Sequence, residues 1–129
     1  MNERPPRPAG RRSPTSDRVV LAVTVVVQLV VLYAPRAPAV SSVPGLDKLV
    51  HAAVFGAVAW AATRCGVARW VVAVVLVAHA ALSEVLQHTL LAHRSGDALD
   101  ALADTVGVGL GLLVATVLPA RRPGRVRRA

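Results

Sequence analysis

The chain has 129 residues, and its 15 Lys+Arg against 7 Asp+Glu give a formal net charge of +8, although 54% of the residues are hydrophobic and the mean hydropathy is +0.54. The excess charge lies at the ends, because residues 1–18 hold five Arg and two acids, residues 119–129 hold five Arg and no acid, and the interior is neutral. This pattern is typical of a membrane protein and argues against a nucleic-acid-binding protein, a soluble enzyme or a disordered basic chain. The single Cys65 excludes an internal disulfide bond and a multi-cysteine zinc site.

Residues 1–17 are rich in Pro and Arg and lack apolar periodicity, so we predict that they are disordered. Four apolar segments follow, at residues 19–34, 46–63, 67–92 and 98–118. A hydrocarbon core about 30 Å thick needs roughly 20 helical residues. Residues 71–78 are apolar throughout, without the alternation that a transmembrane barrel requires. The sequence therefore predicts an all-α polytopic membrane protein, a bundle of four transmembrane helices.

Basic residues orient this predicted bundle. The two Arg-rich tails and the turn that holds Arg64 and Arg69 fall on one side, which the positive-inside rule assigns to the cytoplasm. Both termini are then cytoplasmic. The chain is rich in Val, Ala, Arg, Pro and Gly and has no Ile, which is the bias of a GC-rich bacterial genome, so the expected location is the cytoplasmic membrane of a bacterium. The predicted domains are a basic tail at 1–17, a four-helix transmembrane domain at 18–118 and a basic tail at 119–129. The lipid bilayer is the expected partner and nucleic acid is not, and the tails either bind anionic lipid headgroups or only determine topology.

The first apolar segment has an alternative interpretation as a signal peptide. An Arg-rich start precedes residues 19–33, and Ala37, Pro38 and Ala39 resemble a cleavage site. The segment is long for the apolar part of a signal peptide, and Pro38 lies inside the cleavage motif. We therefore favour a first helix that is retained.

Polar residues of the interior gather at the predicted outer ends of the helices. Asp47 and His51 are four residues apart and share a helix face, as do Glu84 and Gln87 at a spacing of three. A carboxylate inside the apolar zone costs a few kcal/mol unless it faces protein, a cation or water, so such residues are functional candidates. The predicted polar cluster consists of Asp47, Lys48, His51, Glu84, Gln87, Arg94, Asp97, Asp100 and Asp104.

The fourth segment combines this polar face with small residues. Ala103, Gly107 and Gly111 recur every four residues and form a ridge that lets another helix approach closely. Asp100 and Asp104 lie on the same side as this ridge. We therefore expect the fourth helix to turn its acids toward the bundle.

Metal binding is a weaker alternative for these polar residues. Glu84 and His88, four residues apart, could share an ion with His51 or Asp100. No HExxH motif or cysteine pair is present, so we interpret the residues as ordinary hydrogen-bonding groups and assign neither a metal nor a cofactor. His79 and Gln28 are interpreted in the same way, as groups that hydrogen-bond between helices.

The polar pattern resembles the VanZ-like family of small bacterial membrane proteins. The residues that carry the resemblance are Asp47, Lys48, His51 and Phe55, then Glu84, Gln87 and Arg94, then Asp97, Asp100, Ala103, Asp104, Gly107 and Gly111. They span about residues 46–112 in the family's order and spacing. One position departs from the pattern, because the family usually has Asn where this chain has Asp104. The resemblance implies a role in the cell envelope, and the founding member's association with teicoplanin resistance makes glycopeptide resistance one expectation.

Several functions stay open from the sequence. We favour a cell-envelope membrane protein whose outer polar cluster binds an anionic or amphipathic envelope ligand. The same cluster could instead be an ion-pair network that fixes helix register. A second hypothesis is an enzyme that acts on lipid-linked substrates with Glu84 or Asp104 and His51 as its acid–base pair. The others are a small transporter, which would need oligomers, and a structural subunit.

Overall fold

The computed structural model describes residues 14–34, 44–90 and 98–118. These residues form four α-helices: α1 (Pro14–Tyr33), α2 (Leu46–Arg64), α3 (Arg69–Leu90) and α4 (Ala98–Val117). No β-strand occurs within these ranges, so the all-α prediction is confirmed. The helix bounds follow the predicted segments closely at α2 and α4.

Helix α1 begins earlier than the apolar pattern predicts. It starts at Pro14 and so includes residues 14–17, for which the sequence predicts disorder. Proline suits the first turn of a helix because its fixed φ is helical and its missing N–H would have no partner there. Asp17 lies in the same first turn, where the positive end of the helix dipole favours a carboxylate.

A tight turn joins α2 to α3 and makes them antiparallel. Gly66 has φ +88°, a left-handed conformation that glycine adopts without steric cost. Its N–H donates to the Thr63 carbonyl, and the N–H of Val67 donates to the Ala62 carbonyl. These two bonds form a Schellman motif, which satisfies the last carbonyls of α2 and ends the helix.

Helix α2 lies at the centre of the bundle and contacts all three other helices. Its most extensive contact is with α4, where glycines allow the two backbones to touch. A Cβ atom added to Gly107 would collide with the Ala52 carbonyl, and one added to Gly111 would collide with the Gly56 carbonyl. A Cβ added to Gly109, on the outward face of α4, would meet nothing within 4 Å. The small residues of α2 and α4 therefore set the distance between these helices.

Three of the helices, α1, α3 and α4, are long and apolar enough to cross a membrane. Helix α2 has Asp47, Lys48 and His51 in its first two turns, which lower its hydropathy. The outer surface of the bundle carries many exposed Val and Leu side chains on α1, α3 and α4, including Val30, Val74 and Leu110. Such a surface is unfavourable in water and matches a hydrocarbon environment.

Candidate functional site at the polar end of the bundle

The polar end is the end of the bundle where α1 and α3 finish and where α2 and α4 begin. The antiparallel arrangement brings the first turns of α2 and α4 side by side at this end. Lys48 of α2 connects them, since its Nζ donates to Asp47 Oδ2 at 3.0 Å and to Asp100 Oδ1 at 3.1 Å. The Lys48 and Asp47 side chains are 31% and 48% exposed, whereas that of Asp100 is 11% exposed. Lys48 and Asp47 therefore form the exposed rim of the site.

A buried pair lies one helical turn further into the bundle. His51 Nδ1 and Asp104 Oδ1 are 3.0 Å apart, and their side chains are 8% and 0% exposed. His51 follows Asp47 by four residues and Asp104 follows Asp100 by four, so each helix presents one polar residue at the rim and one below it. The polar character of the site thus continues into a region where apolar side chains would be expected.

Helix α3 contributes Glu84 to the same region. One ligand atom each of His51, Glu84 and Asp104 lies within 4.8 Å of the other two. The second oxygen of Asp104, Oδ2, is buried and has no hydrogen-bond partner among the residues that the structure describes. Three helices therefore bring an imidazole and two carboxylates to one point.

A family comparison shows how this arrangement relates to known proteins. The VanZ/LLP1 family model matches residues 10–119, which include all four helices. The chain belongs to the VanZ/LLP1 family. No curated protein and no solved structure matches it significantly. Its apolar helices and its family together indicate that it is a membrane protein of VanZ type.

The VanZ-family chain uses Gln87, a predicted member of the polar cluster, to join two helices. Its Nε2 donates to the Leu32 carbonyl of α1 at 3.2 Å, and both residues are buried. Leu32 lies in the last turn of α1, where the carbonyls point beyond the end of the helix. Gln87 thus supplies a hydrogen bond to the end of α1, and the contact gives it a structural role.

The remaining predicted residues divide into two groups. Arg94 and Asp97 lie outside the described residues. On α4, Gly107 and Gly111 are buried against α2, and Ala103 is partly buried. His88, which the sequence analysis considered as a metal ligand beside Glu84, is exposed on α3 and does not belong to the group of three ligand residues.

Two side chains interpreted as interhelical hydrogen-bonding groups differ in the structure. His79 Nε2 lies 3.2 Å from the Tyr33 hydroxyl of α1, and its ring contacts that of Phe55. Gln28 is buried, but its Nε2 has no hydrogen-bond partner among the described residues. Gln28 instead lines an apolar cavity of about 270 Å³ between α1, α2 and α3, which is separate from the polar end.

Sequence reasoning missed two contacts that join helices of the bundle. At the opposite end of the bundle, Arg64 donates to Asp17 Oδ1 through Nε and a terminal nitrogen, at 3.1 and 2.9 Å, and its guanidinium lies over Trp60. Ala52 and Gly56 of α2, which receive the glycines of α4, were also missed. Ala52 and Gly56 are both small and lie four residues apart in the sequence, which is the same spacing as that of the small residues in the ridge on α4.

Proposed function

We propose that this VanZ-type protein spans the bacterial cytoplasmic membrane four times, with both termini in the cytoplasm, and that its outer polar cluster binds an anionic or amphipathic ligand of the cell envelope. The observation that carries the proposal is the convergence of Lys48, His51, Glu84, Asp100 and Asp104 from three helices at one end of an otherwise apolar bundle. Ionisable residues within membrane helices are rare and usually functional.

The packing supports four spans. Helix α2 has 19 residues and contacts all three other helices, so its buried residue His51 faces protein and not lipid, whereas Asp47 and Lys48 lie at the exposed rim. Helix α1 is joined to the bundle at both ends, through Asp17 with Arg64 and through Leu32 with Gln87. This supports α1 as a retained helix of one transmembrane domain at 18–118, between the two basic tails.

The distribution of charge supports a binding site. The rim residues Lys48 and Asp47 are partly exposed, and the groups below them are buried. The ammonium group of Lys48 would attract a phosphate or carboxylate group, and Asp47 and Asp100 would hold that ammonium in place and accept hydrogen bonds from hydroxyls or amines. A role in glycopeptide resistance of the teicoplanin type is one form that this function could take.

Replacing Lys48 by alanine is expected to weaken ligand binding at least about tenfold, since a hydrogen bond from a charged group contributes roughly 1.5–3 kcal/mol. The protein, in phosphatidylcholine nanodiscs, would be titrated with a polyprenyl phosphate and separately with teicoplanin. Leu49→Ala is the matched control, because Leu49 is the next residue and is 63% exposed on the outer surface. Growth inhibition by teicoplanin in a susceptible host that expresses each variant gives a second readout.

The experiments with wild type and Lys48→Ala allow two results that would contradict the binding proposal. One is equal affinity of wild type and Lys48→Ala for a ligand that binds. The other is the absence of binding to both probes together with an unchanged teicoplanin susceptibility on expression of the wild-type protein. Loss of binding by Leu49→Ala to the same extent would show a general perturbation of α2 and would also count against the proposal.

The alternative is an enzyme that modifies lipid-linked envelope substrates, and the His51–Asp104 pair is the observation that favours it. A carboxylate at 3.0 Å from an imidazole nitrogen can orient a general base. The Ser83 hydroxyl donates to the Ala80 carbonyl of its own helix, so it is not arranged as a nucleophile for this base. Incubation of the purified protein with bacterial lipids, followed by mass spectrometry of the headgroups, separates catalysis from binding alone.

A further inference from the structure

We propose that His51, Glu84 and Asp104 bind a divalent transition-metal ion, with Zn²⁺ or Mn²⁺ as the expected class. The three ligand atoms come from three different helices and lie within 4.8 Å of one another. One imidazole nitrogen with two carboxylate oxygens is a ligand set that zinc and manganese accept, whereas Mg²⁺ and Ca²⁺ prefer oxygen ligands alone. An ion at this point would link α2, α3 and α4.

The buried carboxylate of Asp104 is the second observation that points to an ion. Its side chain is 0% exposed, and Oδ1 faces His51 Nδ1. Its Oδ2 has no hydrogen-bond partner within residues 14–34, 44–90 and 98–118. Buried polar atoms are nearly always paired, and one without a partner calls for an explanation such as a water or an ion. A metal ion between Asp104 and Glu84 would provide that missing interaction.

The charges of the three residues also favour a divalent cation. A neutral imidazole and two carboxylates carry a charge of −2, which one divalent ion balances. Lys48 is held by Asp47 and Asp100 at the rim, so it already has anionic partners there. In surroundings that exclude water, a bound divalent ion lowers the cost of burying two carboxylates close together.

The distances require a modest adjustment. Metal–ligand bonds of about 2.0–2.2 Å place the ligand atoms of a tetrahedral site roughly 3.3–3.6 Å apart. His51 Nδ1 and Asp104 Oδ1, at 3.0 Å, are already closer than this and would exchange their hydrogen bond for contacts with the ion, and rotation of the Glu84 carboxylate would bring its oxygen closer to them. Three protein ligands leave one position on a tetrahedral ion, and a phosphate or carboxylate oxygen of the envelope ligand could occupy it. Only this last step rests on the proposed function.

Metal binding is tested on the purified full chain in nanodiscs, with an affinity tag that lacks histidine and with no envelope ligand present. After EDTA treatment and dialysis, the protein is titrated with Zn²⁺, Mn²⁺ and Mg²⁺, and bound metal is quantified by mass spectrometry. We expect about one Zn²⁺ or Mn²⁺ per chain. Asp104→Asn and Glu84→Gln, which preserve side-chain shape, should each weaken binding at least about tenfold, as removal of a ligand costs no less than the loss of its supporting contacts.

Asp47→Asn is the matched control, because it removes an exposed carboxylate from the same end of α2 and should keep the wild-type metal affinity. The proposal is overturned if wild type binds no Zn²⁺ or Mn²⁺, if it prefers Mg²⁺, or if all three variants lose affinity equally, which would indicate general electrostatic attraction. Unchanged binding by both ligand variants also overturns it. Because no envelope ligand is used, failure here leaves the ligand titrations of Lys48→Ala to decide the proposed function independently.

Discussion

Alanine at Gly107 or Gly111 is expected to destabilise the bundle by about 3 kcal/mol, at the upper end of the usual cost of overpacking a core. Each glycine lies against a backbone carbonyl of α2, Gly107 against Ala52 and Gly111 against Gly56. A carbonyl belongs to the helix backbone and cannot rotate away as a side chain does, so α2 and α4 would have to separate. The free energy of unfolding of each variant would be measured by circular dichroism while the detergent-solubilised protein is titrated with sodium dodecyl sulfate.

Gly109→Ala provides the matched control for these two substitutions. Gly109 lies on the same helix, between them, and an added Cβ would meet nothing within 4 Å. Its expected effect is neutral or slightly stabilising, because alanine has the higher helix propensity. If Gly107→Ala and Gly111→Ala were as stable as Gly109→Ala, this would contradict the conclusion that the backbones of α2 and α4 touch at these glycines.

His51→Leu is expected to cost about 3 kcal/mol or more in EDTA-treated protein, because it leaves Asp104 fully buried without its imidazole partner. The double variant His51→Leu/Asp104→Leu should be more stable than His51→Leu alone, since it removes the stranded carboxylate as well. The free energies of unfolding of wild type, both single variants and the double variant form a double-mutant cycle that isolates the interaction.

Thr105→Leu controls for the change from a polar to an apolar residue on α4. Thr105 follows Asp104 and is exposed on the outer surface, so this variant should stay within about 0.5 kcal/mol of wild type. An additive cycle, in which the double variant loses the sum of both single losses, would show that His51 and Asp104 do not interact. In that case the buried pair could not be part of the site.

The sequence was sufficient to predict the helices because their apolar runs are long and are separated by short polar or Pro-containing stretches. The glycine spacing on α4 also predicted a close helix contact, but it did not identify the partner. Three-dimensional packing determines which helix lies against Gly107 and Gly111. Ala52 and Gly56 of α2 include only one glycine, so their spacing indicates a close helix contact less clearly than the two glycines of α4 do.

The candidate site was predicted in its residue types more than in its pairings. Spacing placed Asp47 with His51 and Asp100 with Asp104 on common faces, and the structure pairs these across helices, as Lys48 with Asp100 and His51 with Asp104. A spacing within one helix does not identify the residues of another helix that it contacts. For the same reason Gln87 was grouped with possible ligand residues, although its amide meets a main-chain carbonyl of α1.

The central claim, that the polar end faces outward, can be tested directly because the chain has a single cysteine. Cys65 lies in the turn after α2, at the end opposite Asp47. Intact cells would be treated with a membrane-impermeant maleimide, using the wild-type protein and Asp47→Cys in a Cys65→Ser background. We predict labelling of Asp47→Cys in intact cells and labelling of Cys65 only after the membrane is permeabilised. The reverse pattern would contradict the orientation and place the polar cluster in the cytoplasm.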